Sequence, residues 1–167
     1  MTLQEFNLLT PVEAEAKVLD CCGSARWAGL IASQRPFHTT NSFFSTADAM
    51  WRKMERADIL EAFSHHPQIG QKADTGSVSH RRWSEGEQTG AKAATDDVKT
   101  RLAAGNRAYF EKFGYIYIVC ATGKSAEEML AILDQRLQNS AADELPIAAE
   151  QQRLIMQVRL KKLFGNA

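Results

Sequence analysis

The sequence predicts an all-α fold: a single-domain bundle of about eight helices spanning residues 1–167, with one buried extended segment near 115–120. Two observations carry that expectation. Helix-start signals, a Ser, Thr or Asp followed three residues later by Glu, recur along the chain and open runs with apolar residues at helical spacing. Only one stretch, Tyr115 to Cys120, crowds β-branched and aromatic residues together, so a strand there would have no second strand to pair with.

Thr10 starts the first predicted helix, with Pro11 at its first position and Glu13 completing a capping box. That helix carries Ala14, Val18, Leu19 and Cys22 and stops at Gly23. Ser24 opens a short amphipathic segment with Trp27, Leu30 and Ile31, halted before Pro36. After a loop, helical patterning resumes at Ser45, with Ala47, Met50, Trp51 and Met54 on one face. Asp58 and Glu61 have capping-box spacing and open a helix presenting Ile59, Leu60 and Phe63. Pro67 lacks an N–H and holds His66 in extended geometry, so that helix must end near His65.

Ser84 and Glu87 again have capping-box spacing. Val98, Leu102, Gly105, Tyr109 and Phe113 follow with strict helical spacing, and Gly114 ends the run. Ser125 and Glu128 cap a helix with Met129, Leu130, Ile132, Leu133 and Leu137. The final helix is expected from about Glu144 to Phe164, with Pro146 near its start and a stripe of Ile147, Gln151, Leu154, Ile155, Val158 and Lys162. Tyr115–Cys120 is read as a buried, non-helical stretch whose main-chain groups must find partners elsewhere.

Twenty basic side chains balance twenty acidic ones, so no net field recruits nucleic acid or an anionic membrane. The longest apolar runs fall far short of a bilayer span, and the first residues lack a charged-then-apolar signal pattern. With no recognisable targeting tripeptide in Phe164-Gly165-Asn166-Ala167, a cytoplasmic location is expected. Cys21, Cys22 and Cys120 show no disulfide framework, and the vicinal pair on a helical pattern reads as small buried hydrophobes. No His or Cys stands at metal-ligand spacing, so no metal is expected.

Residues 65–88 stand apart. They hold three of the four histidines, His65, His66 and His80, yet their middle carries no apolar periodicity. A connection this long within a compact domain tends to be functional or disordered, and the His-Pro-Gly spacing at its start favours function. His66, fixed beside Pro67 at a helix C-terminus, is a candidate general acid or base; the alternative is a structural histidine. Glu87 and Gln88 lie at a helix start, where free N–H groups and the positive dipole end suit an anion or a carbonyl; the alternative is plain capping by Ser84 and Glu87. Arg159 shares a row with Ile155 and Leu163 on the last helix, so a buried guanidinium there needs a partner. An internal ion pair or a snorkelling side chain serves as well as a clamp on substrate oxygens.

Taken in order, four pieces resemble one family. They are His66-Pro67-Gln68-Ile69-Gly70; Trp83-Ser84-Glu85-Gly86-Glu87-Gln88; Lys112-Phe113-Gly114-Tyr115 continuing to Cys120; and Arg159-Leu160. The set is similar to 2-oxo-4-hydroxy-4-carboxy-5-ureidoimidazoline (OHCU) decarboxylases, and with Trp27 and Arg35-Pro36-Phe37 the likeness covers nearly the whole chain. Gln68, where many members carry a charged residue, and His65, a second titrating group, are this chain's departures.

The resemblance implies an all-helical homodimer, a lyase of urate and purine catabolism that decarboxylates OHCU to (S)-allantoin without a cofactor. It implies His66 and Glu87 as catalytic residues. It implies Pro67, Ser84, Glu85, Gly86, Glu87, Gln88, Ile116, Tyr117, Ile118, Val119, Cys120 and Arg159 as the substrate-binding set. The competing readings are a hydrolase of ureides or lactams, with His66 and Glu87 activating water, and a non-catalytic helical binding module.

Overall fold

The computed structural model describes residues 1–70, 83, 85–87, 89–92 and 94–165. Among them are nine helices: α1 (Leu3–Leu8), α2 (Pro11–Cys22), α3 (Ala25–Ser33), α4 (Thr40–Trp51), α5 (Arg56–Ser64), α6 (Thr89–Lys92), α7 (Asp96–Phe113), α8 (Ala126–Arg136) and α9 (Ala141–Leu163). No described residue is in a strand, and residues 85–87 are also helical. The all-α expectation holds, with slightly more helices than the eight read from sequence. One addition is α1, whose Thr2 and Glu5 form a capping box of their own.

Several helix ends follow the local chemistry. Thr10 and Ser125 make the expected reciprocal bonds with Glu13 and Glu128, and Gly23 and Gly114 close α2 and α7 in the left-handed conformation at φ 83° and 78°. Three boundaries move. α4 starts at Thr40 rather than Ser45, because Thr39 and Ser42 already form a capping box. α5 starts at Arg56 because Asp58 is the third residue of its first turn rather than the cap: its Oδ2 accepts from the Glu55 N–H at 2.9 Å. Glu61, expected to close the Asp58 box, instead accepts from the Ala25 N–H at the head of α3.

The third shift is in α9, which begins at Ala141 with Ser140 accepting from the Asp143 N–H, so Pro146 lies inside the helix. Its inward row also differs from the expected stripe. Glu144, Ala148, Gln152, Ile155, Met156, Arg159 and Leu160 are buried, whereas Ile147 is exposed and Gln151, Leu154, Val158 and Lys162 are half-buried. An apolar search passes over a row that begins with a carboxylate and an amide.

The chain forms two compact units, Met1–Ala62 with Arg153–Ala167, and Phe63–Gln152. In the first, Phe6, Phe37, Phe43 and Phe164 pack edge to face, with Phe43 4.9 Å from Phe37 and from Phe164, and 5.4 Å from Phe6. Arg35 ties this cluster to the backbone by donating to the carbonyls of Phe6, Leu9 and Ala32. The fully buried Trp27 donates its indole N–H to the Ala47 carbonyl.

In the second unit, α7 packs closely on α8: a side chain at Gly105 would meet Leu133 at 2.6 Å. Gly90 is the tighter case. A Cβ there would sit 2.1 Å from the Lys124 carbonyl oxygen, so only glycine lets α6 lie against the start of α8. Between α7 and α8 runs the non-helical stretch 115–121, which lies buried as expected apart from half-buried Ile116. No helix among the described residues is long and apolar enough to cross a membrane.

Candidate active site

α5 ends at Ser64, short of Pro67, as the proline requires. The His66 N–H donates to the Phe63 carbonyl at 3.1 Å, which fixes the residue directly after the last turn. His66, Pro67 and Gln68 are half-buried, and His66 Nε2 is shielded from solvent. Two contacts hold this segment in the second unit. Three residues before His66, the Phe63 ring packs 5.3 Å from Tyr115. Three residues after it, the Ile69 carbonyl accepts from Nδ2 of buried Asn106 on α7 at 3.2 Å. His66 is thus carried on a piece of chain pinned to the start of the non-helical stretch and to α7.

The stretch itself is held by a buried polar network. Arg136, at the end of α8, donates from Nη1 to the Ile118 carbonyl at 2.6 Å. It also engages Glu144 Oε1 from Nε at 2.7 Å and from Nη2 at 2.6 Å. Tyr109 donates its hydroxyl to the same carboxylate oxygen, and Asn139 donates to Oε2 at 2.7 Å. The guanidinium also lies over the Tyr117 ring, 5.0 Å from its centroid. Burial, followed by the hydrogen bond to Glu144, pushes the Tyr109 phenol well above its ordinary value, so it stays a donor. For Arg136, burial works against the charge, but the Glu144 hydrogen bond and the neighbouring charges outweigh it and raise the pKa.

Cys120 has both main-chain groups engaged: its N–H donates to Gln151 Oε1 at 3.0 Å, and its carbonyl accepts from Lys124 Nζ at 2.9 Å. No described residue accepts from the N–H groups of Ile116, Tyr117, Ile118 or Val119. Unpaired buried main-chain donors are costly. A small ligand with carbonyl oxygens is what such a segment suits.

Of the other predicted residues, Glu87 is half-buried on the helical residues 85–87, while Glu85 and Gly86 are exposed. Ser84 and Gln88, and with them the Ser84–Glu87 capping box, lie outside the described residues, as does His80. Arg159 belongs to the first unit, is 1% exposed, and donates from Nη1 to the Asp20 carbonyl at 3.3 Å. Near it, burial raises the Cys22 thiol to about 12 against the lowering effects of Ser24 and Arg159, as suits a small buried hydrophobe.

The sequence reading missed Arg136, Glu144 and Asn106. A signal existed for each: Arg136 continues the row of Met129 and Leu133, Glu144 that of Ala148 and Ile155, and Asn106 that of Leu102, Tyr109 and Phe113.

In class, this is an all-helical fold with one irregular buried stretch lying beside a segment that carries a histidine. The chain belongs to the OHCU decarboxylase family, whose model matches residues 7–161. It is 38% identical over 156 residues to the uric acid degradation bifunctional protein TTL of Arabidopsis thaliana, covering 92% of this chain but 48% of that protein, about half its length. It is 28% identical to the 2-oxo-4-hydroxy-4-carboxy-5-ureidoimidazoline decarboxylase of Amia calva, over 98% of this chain and 95% of that one. Among solved structures, an OHCU decarboxylase crystallised in the presence of (S)-allantoin superposes with a TM-score of 0.79 at 34% identity, covering 90% of this chain and 98% of that one.

Proposed function

We propose that the protein decarboxylates OHCU to (S)-allantoin in urate breakdown, with His66 as general acid and base. The observation that carries this reading is the pairing of His66, fixed at the end of α5, with a buried stretch that has main-chain donors to spare. Membership of the family and the (S)-allantoin named with the solved relative support it.

The chemistry asks little of the protein beyond orientation and one proton. When the C4–carboxylate bond breaks, CO2 leaves and the bonding electron pair passes into the conjugated ring C=N. The enol left at C4 then becomes the ring carbonyl while the neighbouring ureido-bearing carbon, C5, is protonated from one face, which gives a single enantiomer. His66 first takes the 4-hydroxyl proton, or holds it by a hydrogen bond, and then delivers a proton to C5, the carbon that bears the ureido group. Glu87 orients the imidazole or bonds the hydroxyl, and the free N–H groups of the 116–119 stretch hold ureido and ring carbonyls. Pro67, Ser84, Glu85, Gly86 and Gln88 complete the small-molecule site by the family motif, and Arg159 keeps the substrate-holding role of its Arg-Leu motif; these assignments rest on the motif alone. Because the ring accepts the electrons, the reaction needs no cofactor. A single working domain, a homodimer and a cytoplasmic location belong to the same proposal, by likeness to the family.

The test is to supply freshly generated OHCU and follow allantoin by circular dichroism. Stoichiometric CO2 release with a growing (S) signal is expected. A racemate formed at the spontaneous rate would overturn the assignment, and loss of substrate without CO2 would point to hydrolysis.

A further inference from the structure

We infer that Arg136 and Gln151 are positioning residues that aim the main-chain N–H and C=O of Val119 at the substrate, making Val119 the residue that reads its ureido or lactam edge. The inference rests on the assignment of the 116–120 stretch to substrate binding and names which of its groups does the reading.

The argument is one of peptide geometry. In a trans peptide the C=O and the N–H point in opposite directions, and the only cis bond among the described residues is Arg35–Pro36. The Ile118 carbonyl and the Val119 N–H belong to one peptide plane. Arg136 Nη1 holds that carbonyl at 2.6 Å, so the Val119 N–H points away from Arg136. The Val119 carbonyl and the Cys120 N–H belong to the next plane. Gln151 Oε1 holds that N–H at 3.0 Å, so the Val119 carbonyl points away from Gln151. Each plane of Val119 is thus gripped at its far end, and no described residue takes the near end of either.

What is left is one donor and one acceptor on a single residue 3% exposed. A group matching both carries a C=O and an N–H side by side, as ureas and lactams do. Arg136 is unsuited to adjustment, since Glu144, Tyr109 and the Tyr117 ring fix it on other sides. Gln151 is the adjustable post, half-buried on α9.

The experiment uses Gln151→Met, which keeps the length but loses the acceptor, and Gln151→Glu, which restores an acceptor for the Cys120 N–H. Affinity for (S)-allantoin, a neutral probe, is measured by calorimetry beside KM, kcat and melting temperature. Gln151→Met is expected to weaken allantoin binding and raise KM by roughly 10-fold, the usual effect of one lost hydrogen bond, with kcat and melting temperature little changed. Gln151→Glu is expected to restore allantoin binding to within about two-fold of the parent.

Unchanged affinity and KM in Gln151→Met would overturn the inference. So would tighter binding, because Gln151 would then be occupying a donor that the ligand itself takes. Failure of the decarboxylase assignment is seen separately, in the parent protein leaving fresh OHCU to decay to racemic allantoin.

Discussion

The two compact units solve the same problem by different means. In the first, edge-to-face phenylalanines fill much of the interior, Arg35 bonds three carbonyls, and Arg153 and Gln157 both bond the half-buried Asp48. In the second, a buried arginine and a buried glutamate, 6% and 0% exposed, share their hydrogen bonds with Tyr109, Asn139 and the Ile118 carbonyl. A buried ion pair adds little net stability compared with apolar packing, so its use needs another reason. The network touches the non-helical stretch 115–121 and holds it in a fixed course. Ring packing is prominent in the first unit; in the second, a buried polar network holds an irregular stretch of backbone.

The sharpest way to test that division is to remove the proposed chemistry without touching the packing. His66→Asn should cut turnover by about 10²–10⁴-fold, the usual worth of a general acid or base, with the melting temperature unchanged. His65→Asn should cost far less. Equal losses at the two positions, read in the same dichroism assay, would move the proton donor.

Next in size is the network. Arg136→Met leaves the Glu144 carboxylate buried without its cation and should destabilise the protein by about 3–5 kcal/mol in chemical denaturation. Adding Glu144→Leu should recover much of that loss, since an apolar pair can replace a buried ion pair. KM should stay high in the double variant, because nothing then holds the Ile118 carbonyl. Full recovery of both stability and KM would mean the network serves stability alone.

How much of this was legible in the sequence follows from range. Thr10–Glu13, Ser125–Glu128, Gly23 and Gly114 act within one helical turn, and their effects were readable because cause and consequence sit within four residues. Asp58 shows the limit: two overlapping boxes fit the same letters, and the Glu55 N–H took it. The buried course of 115–120 was legible from composition and the absence of a partner strand. Its fastening was not, since Arg136 meets Ile118 across 18 residues and Gln151 meets Cys120 across 31. His66 was legible because Pro67 fixes its place. Asn106, which holds the same segment from 37 residues away at Ile69, had only a polar letter on an apolar row to announce it.

Arg159→Lys tests whether a residue of the first unit works on the substrate. It keeps the charge but loses the planar fork. If the guanidinium bonds substrate, affinity should fall by roughly 10- to 100-fold, as for a lost charge-assisted bond of about 1.5–3 kcal/mol, while the melting temperature holds. A large drop in melting temperature with normal kinetics would leave Arg159 as a structural partner of the Asp20 carbonyl. Glu87→Gln is the milder change. The amide still suits a capping role, so stability should move by less than about 1 kcal/mol. Activity should fall by at least ~10-fold if the carboxylate bonds the imidazole or the hydroxyl. A lower melting temperature with unchanged turnover would return Glu87 to capping.

The smallest effect is expected where the first unit is most ordinary. Thr10 Oγ1 accepts from the Glu13 N–H at 3.3 Å, and Glu13 Oε2 accepts from the Thr10 N–H at 2.9 Å and from its hydroxyl at 2.7 Å. Thr10→Ala removes the hydroxyl from both exchanges and should cost about 1 kcal/mol. The Glu13 bond to the Thr10 N–H survives, which keeps the loss from growing. Both residues are exposed at the head of α2, so the change creates no cavity. Nothing in the second unit's network depends on it, and KM, kcat and the chirality of the product should all stay within error. Scanning calorimetry and steady-state kinetics on one preparation decide the matter. A kinetic change as large as that of Gln151→Met would mean that stability in one unit and chemistry in the other are not separable, and the division drawn between them would fail.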